Sequence, residues 1–473
     1  MFRSAGPAIR RVFVILSLIG WVIAPAWGVV IKVPGDEATI QDAVTAAAGG
    51  DEIRIAKGEF FENIVIPTGK DGLMLVGMGV KTIIDANDPP GLTGDAITVE
   101  SDDVVIEMLR IRNGQENGIK ITDDAERVII RHVTVQNVGH SSDLGCVVTE
   151  GEETTVENSI FQSCRFGVTT EIGCSEVDDV TVRNNLFRGC DQECIRICGD
   201  DAVVEDNQTF RAEDNACIVV EGDDAEVVGN TVSHCGGEDD DGEDDGIVVI
   251  GDNPLVSWND VSIVYGDAIR VRCDPDGTED TGDCTDGEVS HNTVNDTLGD
   301  NGDGLQVTAD PPAGAGFAVE NNFARRTSEE GIDINGNNIY VRWNTVKDVL
   351  GDPSTGDCYD ITGDDNHVDD NVADGCGDDG IEASGDRNEI ENNDVEDVFE
   401  DGITVGGIDN DVHDNKVRRV MESAIEVTGG TGNTVDDNNV GDAERHDLCD
   451  EGTGTTTSGN NFVVIATTPC SLT

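Results

Sequence analysis

The residues best suited to chemistry are carboxylates that recur at one place in a repeated phrase. An acidic residue stands directly before a small residue and an aliphatic one, as in Asp379–Ile381 and again 22 residues later in Asp401–Ile403. A column of like charges must be offset, and Ca²⁺ prefers clustered carboxylate oxygens. The pattern predicts calcium ligands in this column and in two acidic insertions, namely Asp239, Asp241, Asp245, Asp267, Asp300, Asp303, Glu330, Asp357 and Asp379.

The same column has a second interpretation. Each aspartate can cap its own turn by accepting backbone N–H groups, while dissolved salt screens the remaining charge. No defined calcium motif is present, so the two interpretations stand side by side.

A second row of polar residues lies two places after each small residue. If successive repeats stack at the spacing of β-strands, Asp333 and Asp360 come within about 5 Å, the separation used by retaining glycoside hydrolases. We therefore predict a catalytic group consisting of Arg270, Arg272, Asp333, Asp360 and Glu382. The alternative is a solvated strand face, on which alternating polar residues are expected in any case.

The elements that must position these rows are short strands in a repeated coil. Val and Ile alternate with polar residues inside each phrase, and an asparagine follows later in every repeat, from Asn158 and Asn185 to Asn438 and Asn461. A period near 22 residues with several short strands is typical of a solenoid. The sequence predicts an all-β, single-stranded parallel β-helix of about 14 coils, with asparagines hydrogen-bonded along the stack.

The N-terminal stretch extends this pattern. Residues 39–44 predict a short helix, and the segments 50–55, 58–62, 73–77 and 82–85 predict the first strands. Together with the repeats, they resemble the right-handed parallel β-helix, or pectin-lyase-like, superfamily over residues 30–465. The resemblance implies a helix that covers the open end of the stack.

The resemblance also implies a place for a substrate. In this superfamily polysaccharides lie along the outer face of the lead sheet, and lyases of this fold use Ca²⁺ with an arginine as base or charge stabiliser. The motifs of pectin esterases, polygalacturonases and alginate epimerases are missing here, which leaves substrate and bond open. No Cys-x-x-Cys with companion histidines occurs, so the sequence predicts no transition-metal site.

Three cysteine pairs share a separation of 18 residues: Cys146 with Cys164, Cys217 with Cys235, and Cys358 with Cys376. One circuit of a coil brings such residues close together, which predicts three disulfides. Further pairings predicted from the remaining cysteines are Cys174–Cys198, Cys190–Cys194, Cys273–Cys284 and Cys449–Cys470. Free buried thiols are the alternative.

The net charge and the N-terminal residues indicate which partners are excluded and where the protein is located. The net charge of −68 excludes nucleic acid and anionic membrane surfaces as partners. A basic start, an apolar run over 12–23 and Ala24–Ala26 predict a signal peptide over 1–28, with an uncleaved anchor as alternative. We then expect a cap with the first coils over 29–95, repeats over 96–465 and a tail over 466–473.

The sequence therefore predicts an exported, monomeric protein that is secreted, periplasmic or at the cell surface and does not insert into a membrane. It would bind or cleave a polysaccharide or cell-surface glycan along the Arg270–Glu382 face, with calcium. The alternative is a non-catalytic surface or structural protein in which the carboxylates bind calcium for rigidity.

Overall fold

Alternating apolar and polar residues form short strands that wind into a right-handed parallel β-helix. The computed structural model describes residues 28–86, 94–139, 144–170, 177–237, 244–273, 284–299, 302–312, 315–351 and 356–467. The predicted signal peptide lies almost entirely outside this range. The described strands make about 17 turns and form three parallel sheets, which we name the lead, second and third sheets in the order in which each coil visits them.

The lead sheet contains 17 described strands. They are Ile64–Ile66, Ile97–Val99, Ile119–Ile121, Gly145–Thr149, Phe166–Thr170, Ile195–Cys198, Ile218–Glu221, Ile247–Ile250, Ile269–Arg272, Leu305–Thr308, Ile332–Asn335, Tyr359–Thr362, Ile381–Ser384, Ile403–Gly406, Ser423–Val427, His446–Asp450 and Ile465–Thr467.

The second sheet contains 18 described strands. They are Val30–Val33, Glu52–Ile55, Met74–Val76, Val105–Glu107, Ile129–Arg131, Thr155–Glu157, Thr181–Arg183, Val203–Glu205, Glu226–Val228, Leu255–Ser257, Glu288–Ser290, Phe317–Glu320, Ile339–Arg342, His367–Asp369, Glu389–Glu391, Asp411–His413, Thr434–Asp436 and Thr456–Ser458.

The third sheet contains 16 described strands. They are Gly58–Phe60, Thr82–Asp85, Arg110–Arg112, Thr134–Val138, Ile160–Cys164, Leu186–Cys190, Gln208–Ala212, Thr231–Cys235, Asp260–Val264, Thr293–Thr297, Phe323–Arg325, Thr345–Lys347, Val372–Asp374, Asp394–Val398, Lys416–Val420 and Asn439–Gly441.

The predicted architecture is confirmed, but the predicted number of coils, about 14, was too low. The repeated phrase marks the lead strands from Ile97–Val99 to Ser423–Val427 only. The lead strands Ile64–Ile66, His446–Asp450 and Ile465–Thr467 belong to coils that lack the phrase and still pair in parallel with their neighbours. Strand pairing depends on the backbone and on apolar residues pointing inward, so a coil can form without the consensus.

The core is one continuous stack of aliphatic side chains that runs through all coils. Its aromatic members include Phe161 and Phe187, whose rings stack with centroids 4.9 Å apart. The helix Ile40–Ala46 begins at Thr39, whose Oγ1 accepts a hydrogen bond from the N–H of Asp42 at 3.0 Å. It buries Ile40 and Val44 against the first coil. Its role as a cap stays a prediction.

A column of buried asparagines fastens consecutive coils where the second sheet turns into the third. The N–H of Asn292 donates to Oδ1 of Asn322 at 2.9 Å, and its Nδ2 donates to the same Oδ1 at 3.0 Å and to the carbonyl of Val256 at 2.9 Å. The same pattern repeats from Asn185 to Asn438. This column satisfies polar groups that would otherwise be buried without partners.

Both ends of the predicted asparagine column are shifted by one residue. Ser159, not Asn158, accepts and donates in the column, because Asn158 adopts a left-handed backbone at φ 51° and is exposed. At the other end, Asn460 rather than Asn461 accepts the N–H of Asn438. A shorter asparagine column, which the sequence analysis missed, lies before the second sheet at residues 366, 388, 410 and 433.

The three disulfides predicted from the 18-residue spacing are present, with Cα–Cα distances of 5.7, 5.4 and 5.3 Å. Cys190–Cys194 and Cys273–Cys284 also form. The predicted pairs of Cys174 with Cys198 and of Cys449 with Cys470 each involve a residue outside the described ranges. Among the described residues, no helix is long and apolar enough to cross a membrane.

Candidate functional site

The carboxylate column runs along the turn that leads into the lead sheet. At most positions of the column the backbone N–H of one residue donates to Oδ1 of the aspartate one coil earlier, as Asp267 does to Asp245 at 2.8 Å and Asp401 does to Asp379 at 2.8 Å. Asp303 and Glu330 continue the pattern at 2.9 and 3.0 Å. The aspartates of the column are buried. The carboxylates therefore fasten consecutive coils together, whereas the second interpretation of the column had each aspartate capping its own turn.

Arg270 neutralises the column at one place. Its Nη1 lies 3.0 Å from Asp245 Oδ2, and its Nε lies 2.9 Å from Asp267 Oδ2. Burial lowers the pKa of Arg270, but the two carboxylates more than offset this effect, so its pKa lies above the ordinary value. Arg270 is therefore a fixed cation rather than a base. Arg272, two residues further along the strand, is exposed.

Beyond Arg270 the column continues without a basic partner. Among the described residues, Asp303, Asp357 and Asp379 form no ion pair with lysine or arginine. Burial, followed by the neighbouring Asp379, raises the pKa of Asp357 to about 9. Burial is also the main reason why the pKa of Asp379 rises to about 8 and why that of Asp303 is raised well above its ordinary value. Burial without a basic partner thus favours the protonated form of these carboxyl groups.

The predicted catalytic carboxylates lie beside this part of the column. Asp333, Asp360 and Glu382 occupy equivalent positions on three adjacent lead strands. Burial, with the charge of Asp360, raises the pKa of Asp333 to about 7. Burial, with the charge of Glu382, raises the pKa of Asp360 to about 6. Burial and mutual repulsion thus bring both pKa values towards neutral pH, where a carboxyl group can donate or accept a proton.

Three groups of carboxylates could hold a metal ion, since their oxygens lie within 4.8 Å of one another. They are Asp303 with Glu329 and Glu330, Asp357 with Asp379 and Glu382, and Asp378 with Asp379 and Glu400. The fold thus brings together four predicted metal ligands, Asp303, Glu330, Asp357 and Asp379, and adds acidic residues from the same turns. Asp245 and Asp267 bind Arg270 instead, and Asp239, Asp241 and Asp300 lie outside the described residues.

A cavity of about 180 Å³ opens on the same face, on the N-terminal side of Arg270. Val219 and Val248 line it and form, with Ala216, an apolar cluster separate from the core. Arg196 binds Glu193 at 3.0 Å and Glu221 at 3.1 Å on its rim. Oε2 of Glu193 is buried and accepts no hydrogen bond from the part of the chain that the structure describes.

The sequence did not predict this cavity as a site. The outward positions of its two central strands carry valines rather than polar residues. The signal was the pair of arginines, Arg196 and Arg270, that frame these valines in the same row.

Comparison with known proteins agrees with the architecture. A family model described as a right-handed beta helix region matches residues 72–232. A second, described as periplasmic copper-binding protein (NosD), matches residues 285–465. No curated protein matches the chain.

Solved structures with similarity to the chain include three proteins of diverse origin. The mannuronan C-5 epimerase AlgE6 A-module of Azotobacter vinelandii is 11% identical, with 90% of this chain and 93% of that chain covered and a TM-score of 0.28. The siphovirus 9NA tailspike receptor binding domain is 12% identical, with 93% and 76% covered and a TM-score of 0.44. The catalytic domain of a GH87 alpha-1,3-glucanase in complex with nigerose is 12% identical, with 92% and 69% covered and a TM-score of 0.31.

Proposed function

We propose that this right-handed parallel β-helix protein is exported and binds a polysaccharide along the outer face of its lead sheet. The observation that carries the proposal is one continuous strip on that face. It begins at the cavity beside Arg196 and Arg270 and ends at Asp333, Asp360 and Glu382.

The cavity end of the strip has the composition of a sugar-binding surface. Val219 and Val248 offer an apolar floor for the C–H face of a sugar ring, while guanidinium and carboxylate groups of Arg196 and Glu193 can bond its hydroxyls. Orientation in such pockets comes from a few polar groups placed around an apolar surface. Arg270 adds a fixed positive charge at the point where the strip turns acidic.

The acidic end of the strip supports a reaction. We propose that Asp333 and Asp360 act as a proton donor and a second carboxylate at the bond that is cleaved. Strands pair at about 4.8 Å, which places the two carboxyl groups near the separation of about 5 Å that retaining glycoside hydrolases use. Arg270 and Arg272 would stabilise negative charge on the substrate, and Glu382 would tune the pKa of Asp360.

We propose calcium as the cation of the acidic end. The three carboxylate groups there offer oxygen ligands only, which suit Ca²⁺. One of the family models that match the chain is described as copper-binding, and copper favours nitrogen or sulfur ligands that these groups lack. Bound calcium would also offset the repulsion between the strip and an anionic polysaccharide. The disulfides support export to an oxidising compartment.

The experiment is a glycan screen of the full, oxidised protein with calcium or with a chelator. Uronate and neutral polysaccharides are tested for binding and for release of reducing or unsaturated ends. We expect Asp333→Asn and Asp360→Asn each to lower the rate of cleavage by about 100-fold or more, while the glycan still binds. Asp348→Asn is the matched control, because Asp348 is exposed and pairs with Arg325 in the third-sheet region.

A non-catalytic role is the second candidate, and the inter-coil hydrogen bonds of the carboxylate column favour it. Calcium would then rigidify the turns without a substrate. This role is supported, and polysaccharide binding is ruled out, if the native protein binds no glycan and calcium raises its melting temperature.

A further inference from the structure

A second group of chemically competent side chains lies on the second sheet, away from the strip. In two stretches of this sheet one outward column alternates acidic residues with arginines, and Val228, Ser257 and Ser290 separate the two stretches. Arg131 binds Glu107 at 2.6 Å, and Arg183 binds Glu157 at 2.8 Å. Further along the column Arg342 binds Glu320 at 2.7 Å. Within each stretch the arginines thus neutralise the acidic residues beside them.

The alternation breaks on three adjacent strands. After Arg342 the column continues with Asp369, Glu391 and His413. The neighbouring column on the same face carries His367, Glu389 and Asp411 on the same strands. Two imidazoles and four carboxylates therefore share a patch in which arginine is replaced by histidine.

The distances within this patch suit a metal ion. His413 Nε2 lies 3.4 Å from Glu389 Oε1 and 3.6 Å from Glu391 Oε2. Ligand atoms of these three residues all lie within 4.8 Å of one another. His367 Nδ1 lies 2.9 Å from the other oxygen of Glu389. The side chain of His413 is 21% exposed, so an ion can reach it.

Two further observations point to a ligand. His413 Nδ1 lies 3.2 Å from Asp414 Oδ2, and a carboxylate on the second ring nitrogen is the usual partner of a metal-bound imidazole. Oδ1 of Asp411, beside Glu389 in the register, is inaccessible to solvent and accepts no hydrogen bond from the described residues. This oxygen could therefore accept a hydrogen bond or contact a cation.

We propose that Glu389, Glu391 and His413 bind a divalent transition-metal ion of the class that prefers imidazole with carboxylate, such as Zn²⁺ or Cu²⁺. His367 and Asp411 complete the surroundings of the ion. This site is independent of the glycan strip. The sequence predicted no transition-metal site, because the ligands come from two different coils and share no local motif.

The test titrates Zn²⁺ into the full, oxidised protein by calorimetry, with calcium in excess to fill sites made of oxygens alone. We expect one zinc site per chain, weakened at least tenfold by His413→Asn and by Glu391→Gln. Glu320→Gln is the control, because Glu320 stands in the same column but is neutralised by Arg342. Circular dichroism of each variant confirms that the fold is intact.

Electron paramagnetic resonance with Cu²⁺ gives an independent measure. Nitrogen coupling from one imidazole is expected in the native protein and is lost in His413→Asn. If zinc affinity is equal in the native protein and in both variants, or if no zinc binds above the calcium background, the proposal is wrong. His413 would then be a titratable substitute for arginine in the column.

Discussion

Two columns of side chains each follow many consecutive coils, and both bond backbone N–H groups at the turns, one with amides and the other with carboxylates. In both columns Oδ1 accepts the N–H of the equivalent residue on an adjacent coil, which is the preceding coil for the asparagines and the next coil for the aspartates. The asparagine also has an amide that donates to two further acceptors. The aspartate has a second oxygen that repels its neighbours unless a cation or a proton is present.

The charge of the carboxylate column is the feature that structure alone does not explain. A neutral amide fulfils the structural task completely, since the asparagine column leaves no polar atom to be neutralised. The carboxylate column adds a net charge that the fold does not require, and Arg270 offsets this charge only at Asp245 and Asp267. The remaining carboxylates, at the acidic end of the strip, are therefore the ones we assign to cations and substrate.

The largest expected effect is the pH dependence of stability in the absence of metal. Asp357 and Asp379 have folded-state pKa values of about 9 and about 8, above the value of about 4 in an unfolded chain. The folded state therefore binds more protons between these limits, and stability falls as pH rises through that window. Each titrating group contributes up to about 1.4 kcal/mol per pH unit.

Urea denaturation at pH 5, 7 and 9 measures this effect, with chelator and with calcium. We expect the midpoint to fall with pH under chelator and to fall much less with calcium, which replaces the protons. A midpoint that is flat or rises from pH 5 to pH 9 under chelator would show that the column carries no uncompensated charge.

The next effect is an exchange between the two columns. Asn292→Asp removes the donors to Val256 and Asn322 and buries a charge, so we expect a loss of about 4 kcal/mol in the free energy of unfolding. The reverse change, Asp379→Asn, keeps the Oδ1 acceptor and removes a charge. We expect it to raise stability under chelator and to reduce the stabilisation by calcium. Equal losses in both variants would mean that the columns are equivalent.

The smallest effect concerns the neutralised part of the carboxylate column. Arg270→Met leaves Asp245 and Asp267 without the guanidinium that both contact, and we expect a loss of about 2–3 kcal/mol at pH 8 under chelator. Calcium should restore part of this loss, because Asp245 and Asp267 then lack a basic partner, as the rest of the column does. Arg325→Met, which removes an exposed pair with Asp348, is the control and should not change the midpoint.

Much of the fold could be predicted from local pattern. Alternation of apolar residues, the recurring Asp379–Ile381 phrase and the 18-residue cysteine spacing each reflect a constraint that acts within one coil. The errors arose where the pattern was degenerate: Asn158 and Asn461 each have a neighbour that can fill the column. Only the backbone conformation at the turn, such as the left-handed φ of Asn158, decides which of them points inward.

The candidate sites divide in the same way. The sequence by itself determined that Asp333, Asp360 and Glu382 share one face, because a parallel register repeats the same position on each coil. Only the tertiary structure decided that Arg270 is tied to Asp245 and Asp267, that two valines line a cavity, and that His413 meets Glu389 and Glu391. These contacts depend on side-chain reach between coils and on burial, and burial sets charge and protonation in ways that residue order does not encode.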